Sequence, residues 1–180
     1  SNFTKNVEMI FNKKRDLLIV VGGGSLPPQL YDRPHEDELQ PNRDRMEEQV
    51  IHYCVAHGIP IIATCRGMQY INVMFGGKLW YHPKLPVNRT RGVDHQVWLV
   101  KEQRNIWVNN YHSDCIYEEG LASCFEPLAI DRENHVVEAY GSDEMKILAL
   151  QWHPERRFET ANAYEETRKI ILDFIQKYVK

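Results

Sequence analysis

The chain reads as an α/β protein, and three observations carry that reading. Residues 17–21 form a continuous apolar run of the kind that makes a strand buried on both faces, and helical spacing at 4–14 precedes it. Three glycines, Gly22, Gly23 and Gly24, follow that strand directly. A second β-branched run, starting just after Pro60, ends at Cys65 and gives way to helical spacing, with Met68, Ile71, Met74 and Phe75 on one face. Two βα units are therefore complete by residue 77. An α/β sheet normally opens with a strand, so this chain starts in mid-pattern.

The remaining elements follow in order. The opening helix places Val7, Ile10 and Phe11 on one side, with Asn2 or Thr4 as its cap. Residues 31–42 are polar and proline-bounded, a long surface loop of the kind that borders a site. Residues 44–57 predict a helix with Met46, Val50, Tyr53 and Cys54 inward, acids in its first half and Gly58 as its stop. Residues 78–93, rich in Pro, Gly and Arg, read as a loop and a candidate specificity region. Strands are expected at 94–101 and 106–108, then a polar turn Asn109-Asn110-Tyr111-His112-Ser113-Asp114, then strands at 127–130, 135–140 and 146–151. Pro154 cannot continue the last strand, which leaves His153 and Glu155 at its tip. An amphipathic helix over 160–179 closes the chain, with Tyr164, Ile171, Phe174, Ile175 and Tyr178 inward.

Composition narrows the function. One hundred and eighty residues are expected to form one domain with a sizeable core. Charged residues make up 26% of the chain, with a net charge of −3 and the two signs interleaved, which argues against nucleic acid or an anionic membrane as partner. A small molecule or another protein is the expected partner. Cysteines at 54, 65, 115 and 124 show no C-x-x-C pairing, which suits a reducing compartment. The longest apolar run is too short to span a bilayer, and no basic-then-apolar leader opens the chain, so the expectation is a cytoplasmic protein.

Cys65 is the chemical centre of the sequence. A thiol at the first turn of a helix meets unpaired backbone N–H groups and the positive end of the helix dipole, which favour thiolate and lower its pKa. The same N–H groups can hold an oxyanion. Two readings stand on this stretch alone: a nucleophile on a strand-to-helix elbow, or one more buried small hydrophobe. The glycine loop is open in the same way, as an anion cradle or a tight turn. His153-Pro154-Glu155 adds a base and a carboxylate to orient it, at the carboxyl end of another strand. A zinc site is set aside, because the eight histidines show no H-x-x-x-H spacing. No cofactor is implied.

Thr64-Cys65-Arg66-Gly67-Met68-Gln69, the glycine loop at 22–24 and Gln151-Trp152-His153-Pro154-Glu155 together resemble the class I glutamine amidotransferase superfamily, in its γ-glutamyl hydrolase-like branch. The resemblance covers nearly all of 17–155. It implies a three-layer, flavodoxin-like, mostly parallel central sheet over a single domain 1–180 that lacks the family's opening strand and helix. It implies Cys65 as nucleophile, His153 as general acid/base and Glu155 as orienting carboxylate. The backbone N–H groups of Gly23 and Arg66 would form the oxyanion hole, and Gln69, Asn110, Tyr111 and His112 would meet the substrate. The implied reaction is hydrolysis of a γ-glutamyl amide through a cysteine thioester. Ala63 stands where the family usually has glycine, Ser25 replaces the acid often found after the glycines, and the turn after His112 lacks the usual glutamine.

Arginine after the cysteine and the G-G-G-x-x-x-P loop look like enzymes that act on free γ-glutamyl conjugates. Phe75-Gly76-Gly77-Lys78-Leu79 and His153-Pro154-Glu155-Arg156 look most like the γ-glutamyl-CDP-amidate hydrolase subgroup, tied to phosphoramidate modification of bacterial capsule polysaccharide. On that reading Arg66, Lys78, Arg89, Arg91, Arg156 or Arg157 could meet nucleotide phosphates. The alternatives are a catabolic γ-glutamyl-γ-aminobutyrate-type hydrolase and a glutaminase subunit that delivers ammonia to a partner synthetase. A homodimer is a further arrangement the sequence leaves open.

Overall fold

The computed structural model describes residues 16–27, 30–31, 39–81 and 91–179. The helix expected at 4–14, most of the loops expected at 31–42 and 78–93, and Arg89 lie outside the described residues. The described strands and α-helices are β1 (Leu18–Val20), α1 (Pro41–His57), β2 (Ile61–Thr64), α2 (Arg66–Met74), β3 (Trp80–Tyr81), β4 (His95–Leu99), β5 (Arg104–Val108), β6 (Asp114–Cys115), β7 (Glu126–Asp131), β8 (Val136–Ser142), β9 (Ile147–Leu150) and α3 (Ala163–Tyr178), with a 3-10 turn at Glu118–Gly120.

Seven strands make one sheet in the order β1-β2-β9-β8-β7-β4-β5. The α/β class holds, with a correction to the expected mostly parallel sheet. Of the six strand pairings, β1 with β2 and β2 with β9 are parallel, and the other four are antiparallel. The reason lies in the connections. The β1-to-β2 passage carries helix α1, as a parallel crossover requires, whereas β4-to-β5 and β7-to-β8-to-β9 are joined by short turns that return the chain antiparallel. The parallel strands are the ones whose carboxyl ends carry the glycine loop, Cys65 and the segment leading to His153.

Side chains sort onto two faces. Ile61 and Ala63 of β2 pack with Ile51, Cys54, Met68 and Ile71 of α1 and α2, while Ile62 joins Leu148, Leu150, Val97 and Ile106, against which Ile171, Phe174 and Ile175 of α3 pack. Period-two alternation on a strand covered from both sides produces this three-layer arrangement. Helix α1 starts with Pro41, whose missing N–H costs nothing at that position, and ends at Gly58 with φ 66°.

Three expectations of burial are corrected. In β1 only Val20 is buried, and Ile19 is 57% exposed, because the described residues supply β1 with a pairing strand on one side alone. Met46 of α1 is exposed, and Asp44 is turned inward in its place to meet Arg66. Tyr164 of α3 is exposed, while Thr167 is buried and accepts the Trp152 indole N–H at 3.1 Å. Hydrophobicity alone ranked these positions; on α1 and α3 a polar partner turned a neighbouring polar residue inward instead.

Candidate active site

The turn from β2 into α2 sets the geometry. Cys65 has φ 49° and ψ −112°, a conformation that side-chain-bearing residues rarely adopt and that costs roughly 1–3 kcal/mol. Its N–H donates to the Leu150 carbonyl at 2.8 Å and its carbonyl accepts from Gln69 N–H at 3.1 Å, so the strained residue is fastened on both sides. A Cβ on Gly67 would lie 2.4 Å from the Val20 carbonyl oxygen, so glycine there lets α2 press onto β1. The elbow aims the Cys65 side chain at the carboxyl ends of the parallel strands.

His153 and Glu155 arrive from the end of β9. Their Nδ1 and Oε1 are 2.6 Å apart, a charge-assisted contact. The carboxylate fixes the proton on Nδ1 and leaves Nε2 as the basic nitrogen. A Cβ added to Gly22 would lie 2.7 Å from His153 Cε1 and 3.6 Å from Cys65 Cβ, so the imidazole and the cysteine flank the same point of the glycine loop. Asn109 supplies a contact that sequence reasoning missed. Its Oδ1 accepts His153 N–H at 2.9 Å and its Nδ2 donates to the His153 carbonyl at 2.8 Å. The turn was singled out, yet nothing in an Asn-Asn pair says which one faces the histidine.

The expected low pKa of Cys65 is corrected. Burial dominates and pushes the thiol up to about 11, against the opposing pull of the Arg66 backbone N–H and the Arg156 charge; the Asp114 and Glu155 carboxylates push it further up. The helix terminus still points an N–H at the sulfur, but at 8% exposure the thiolate is poorly solvated. A thiol held this way reacts only with the help of a base. Glu155 goes the other way: burial raises it, but the His153 hydrogen bond, its own backbone N–H and the His153 and Arg156 charges together hold its carboxyl below the usual range.

Two cavities meet at Cys65. The smaller, about 270 Å³, is polar and includes Gly23, Ser25, Gln69, His112 and Asp114 in its lining. The larger, about 750 Å³, is walled by Ile19, Val21, Ile171 and Ile175 with Tyr111, Glu155 and Arg156 at its rim. Cys65, Gly23, Gly24, Arg91 and Tyr111 line both.

The other predicted site residues divide. Gln69 lines the polar cavity, its amide donating toward the Asp114 carbonyl at 3.1 Å and Gln151 Oε1 at 3.2 Å. Tyr111 packs edge-on to the His153 ring at 5.7 Å and carries the Arg156 guanidinium 4.4 Å over its own ring. The His112 side chain is nearly fully buried, with Nδ1 2.9 Å from the Asp114 carbonyl and Nε2 3.8 Å from Glu138. Asn110 lines neither cavity. Among the suggested phosphate-contacting cations, the Arg66 side chain is 1% exposed and paired with Asp44 and with Glu47 Oε2, the latter at 2.5 Å, so its guanidinium is committed inside the protein. Arg66 still lines the smaller cavity, Arg91 lines both and Arg156 lines the larger. Asp114 and Gln40 line them as well, and neither was singled out from the sequence.

A three-layer mixed sheet with a strained cysteine elbow, a histidine–carboxylate pair and adjoining polar and apolar cavities defines a cysteine-dependent amidohydrolase of the class I glutamine amidotransferase superfamily. The chain belongs to the Peptidase C26 family, whose pattern matches residues 4–155. It is 30% identical over 164 residues to the glutamine amidotransferase-like protein YvdE of Lactococcus lactis, covering 81% of this chain and 68% of that one. It is 26% identical over 175 residues to the γ-glutamyl-γ-aminobutyrate hydrolase PuuD of Escherichia coli, covering 83% and 67%. In fold it is similar to a glutamine amidotransferase of Thermotoga maritima, with a TM-score of 0.57 at 19% identity over 88% of this chain and 64% of that one. The chain thus spans about two thirds of the length of these relatives.

Proposed function

We propose that this protein hydrolyses the γ-glutamyl amide bond of a small conjugate, with Cys65 as nucleophile, His153 as general acid/base and Glu155 as its orienting carboxylate. The observation that carries the reading is the 2.6 Å His153–Glu155 contact flanking the glycine loop opposite the strained cysteine. His153 Nε2 takes the thiol proton as Sγ attacks the δ-carbonyl, and the oxyanion is held by the N–H groups of Gly23 and Arg66. As the tetrahedral centre collapses, the C–N bond breaks and His153 returns its proton to the departing amine. Water then gives a proton to His153 as its oxygen attacks the thioester carbonyl; the C–S bond breaks, His153 returns that proton to Sγ, and glutamate leaves with the thiol restored.

The two cavities divide the substrate. The polar cavity, with Gln69, Ser25 and the Asp114 carboxylate, suits the α-amino and α-carboxylate ends of the glutamyl group. The larger cavity takes the amine half. Its apolar wall and the two cations Arg91 and Arg156 favour an amine that carries an anion on an apolar or stackable body. The name of the Escherichia coli relative supplies one such compound, γ-glutamyl-γ-aminobutyrate. The motifs around Phe75 and Arg156 supply another, γ-glutamyl-CDP-amidate.

The test is glutamate release from glutamine, γ-glutamyl-γ-aminobutyrate, an uncharged γ-glutamyl alkylamide and γ-glutamyl-CDP-amidate, with Cys65→Ala as blank. The proposal expects the anionic conjugates to be cleaved with the highest kcat/KM. Silence on all four overturns it.

A further inference from the structure

The two residues assigned to the oxyanion hole lie far apart in sequence, and a charged cluster on α1 touches both. Glu47 takes Arg66 Nη1 at Oε2, 2.5 Å away, and Arg43 Nε at Oε1, 2.6 Å away. Asp44 takes Arg66 Nη2. Arg43 then donates through Nη2 to the Val21 carbonyl at 2.7 Å, at the entry to the glycine loop, and through Nη1 to Gln40 at 3.0 Å. Gly23 is wedged between the two arginines: a Cβ there would lie 2.2 Å from Arg43 Nη1 and 3.1 Å from Arg66 Cδ. The Arg66 side chain is almost wholly buried, so its ion pairs are little screened by water, and α1 buries Asp44 to make them.

This arrangement is costly unless it does something. The Arg66 guanidinium and the Asp44 and Glu47 carboxylates are largely withdrawn from water, with Arg43 partly exposed beside them, and burying such ion pairs is by itself weak evidence for stability. Here the bridged parts are the chain segments whose N–H groups must face one oxygen. We infer that Arg43, Asp44 and Glu47 are positioning residues of the oxyanion hole, with Glu47 as the joint that locks the Arg66 elbow and the Gly23 loop in one register. The inference rests on the proposed thioester chemistry. A hole of this kind acts on charge that exists only in the transition state, so loosening it lowers kcat and leaves KM nearly alone.

Glu47→Gln keeps the shape and removes the charge; Arg43→Met, at a partly exposed position, removes the donor to the Val21 carbonyl. Both are assayed in the full chain with whichever conjugate of the panel above the wild type cleaves fastest. In parallel, iodoacetamide alkylation of Cys65 is timed, because the sulfur displaces iodide, the thiol proton goes to solvent and no oxyanion forms. The expected result for each variant is a fall in kcat of about tenfold to a hundredfold, with KM within about twofold and an unchanged alkylation rate. Wild-type kcat in both variants overturns the inference, as does a rise in KM alone. An alkylation rate that falls in step with kcat also overturns it, by showing that the cluster holds the nucleophile instead. A wild-type chain silent on every conjugate fails the proposed function itself and takes this inference with it.

Discussion

Asn109 holds His153 by both main-chain polar groups, accepting its N–H at 2.9 Å and donating to its carbonyl at 2.8 Å. Both residues are buried, so the imidazole is located by a rigid two-point bracket from the end of β5 rather than by β9 alone. Asn109→Ala leaves a buried N–H and a buried C=O without these partners. It is expected to lower stability by about 2 kcal/mol and kcat by about tenfold or more. Denaturant unfolding and steady-state kinetics check both numbers. A stability loss with wild-type kcat would remove Asn109 from the positioning role.

The thiol of Cys65, pushed up to about 11 by burial, gives a second expectation. At pH 7 only about one molecule in ten thousand carries free thiolate, so iodoacetamide alkylation should climb roughly tenfold per pH unit from 7 to 10 with no plateau near neutrality. A plateau at neutral pH would indicate a preformed thiolate–imidazolium pair.

Folding stability carries the same sign. Cys54, fully buried and pushed up to about 12, and Cys65 both have folded values above the ordinary 9.0. Their contribution is therefore fully present below pH 9 and is lost as pH rises through 11 and 12, since the unfolded chain gives up protons the native state retains. Urea midpoints measured from pH 7 to 11 should fall across the upper part of that range, and Cys54→Ala should fall less steeply. Equal slopes would show that the buried thiols are not responsible.

Two glycine substitutions separate site from fold. Gly22→Ala places a Cβ 2.7 Å from His153 Cε1, a side chain that can shift, so activity is expected to fall at least tenfold with little loss of stability. Gly67→Ala places one 2.4 Å from the Val20 carbonyl oxygen, backbone that cannot yield cheaply, so a loss of about 1–3 kcal/mol is expected. The reverse pattern would mean that the glycine loop carries the fold and the elbow does not.

How much of this was legible follows from what sequence patterns encode. The strand ending at Cys65, the helix after it and the His153-Pro154-Glu155 tip were readable because apolar periodicity and proline are local signals, and they placed the proposed catalytic groups. The antiparallel half of the sheet was not expected, although its strands were nearly all found, because strand spacing does not state pairing direction. Arg66 was one of six cations that could have met a phosphate, since a charged residue beside the candidate cysteine is ambiguous until its partners are known. Its partners, Asp44 and Glu47, stand about twenty positions earlier on a helix that otherwise reads as an ordinary solvated face. The raised thiol is of the same kind: the helix terminus was visible in the sequence, whereas the burial that outweighs it is a property of the packed chain.

Arg91 and Arg156 should be told apart by their substrates. Arg156→Ala removes a charge that stacks on Tyr111 at the rim of the larger cavity, and Arg91→Ala removes the cation shared by both cavities. KM for an anionic γ-glutamyl conjugate is expected to rise about tenfold in each variant, while KM for an uncharged γ-glutamyl alkylamide moves less than about threefold. Equal effects on both substrates would assign the arginines to structure.

The most direct measurement is acid quenching of the wild-type chain during turnover of its fastest conjugate, followed by mass spectrometry of the peptides bearing Cys54, Cys65, Cys115 and Cys124. The account predicts a glutamyl adduct on the Cys65 peptide alone, and no glutamate release by Cys65→Ala. An adduct on another cysteine, or release by Cys65→Ala at the wild-type rate, would contradict it.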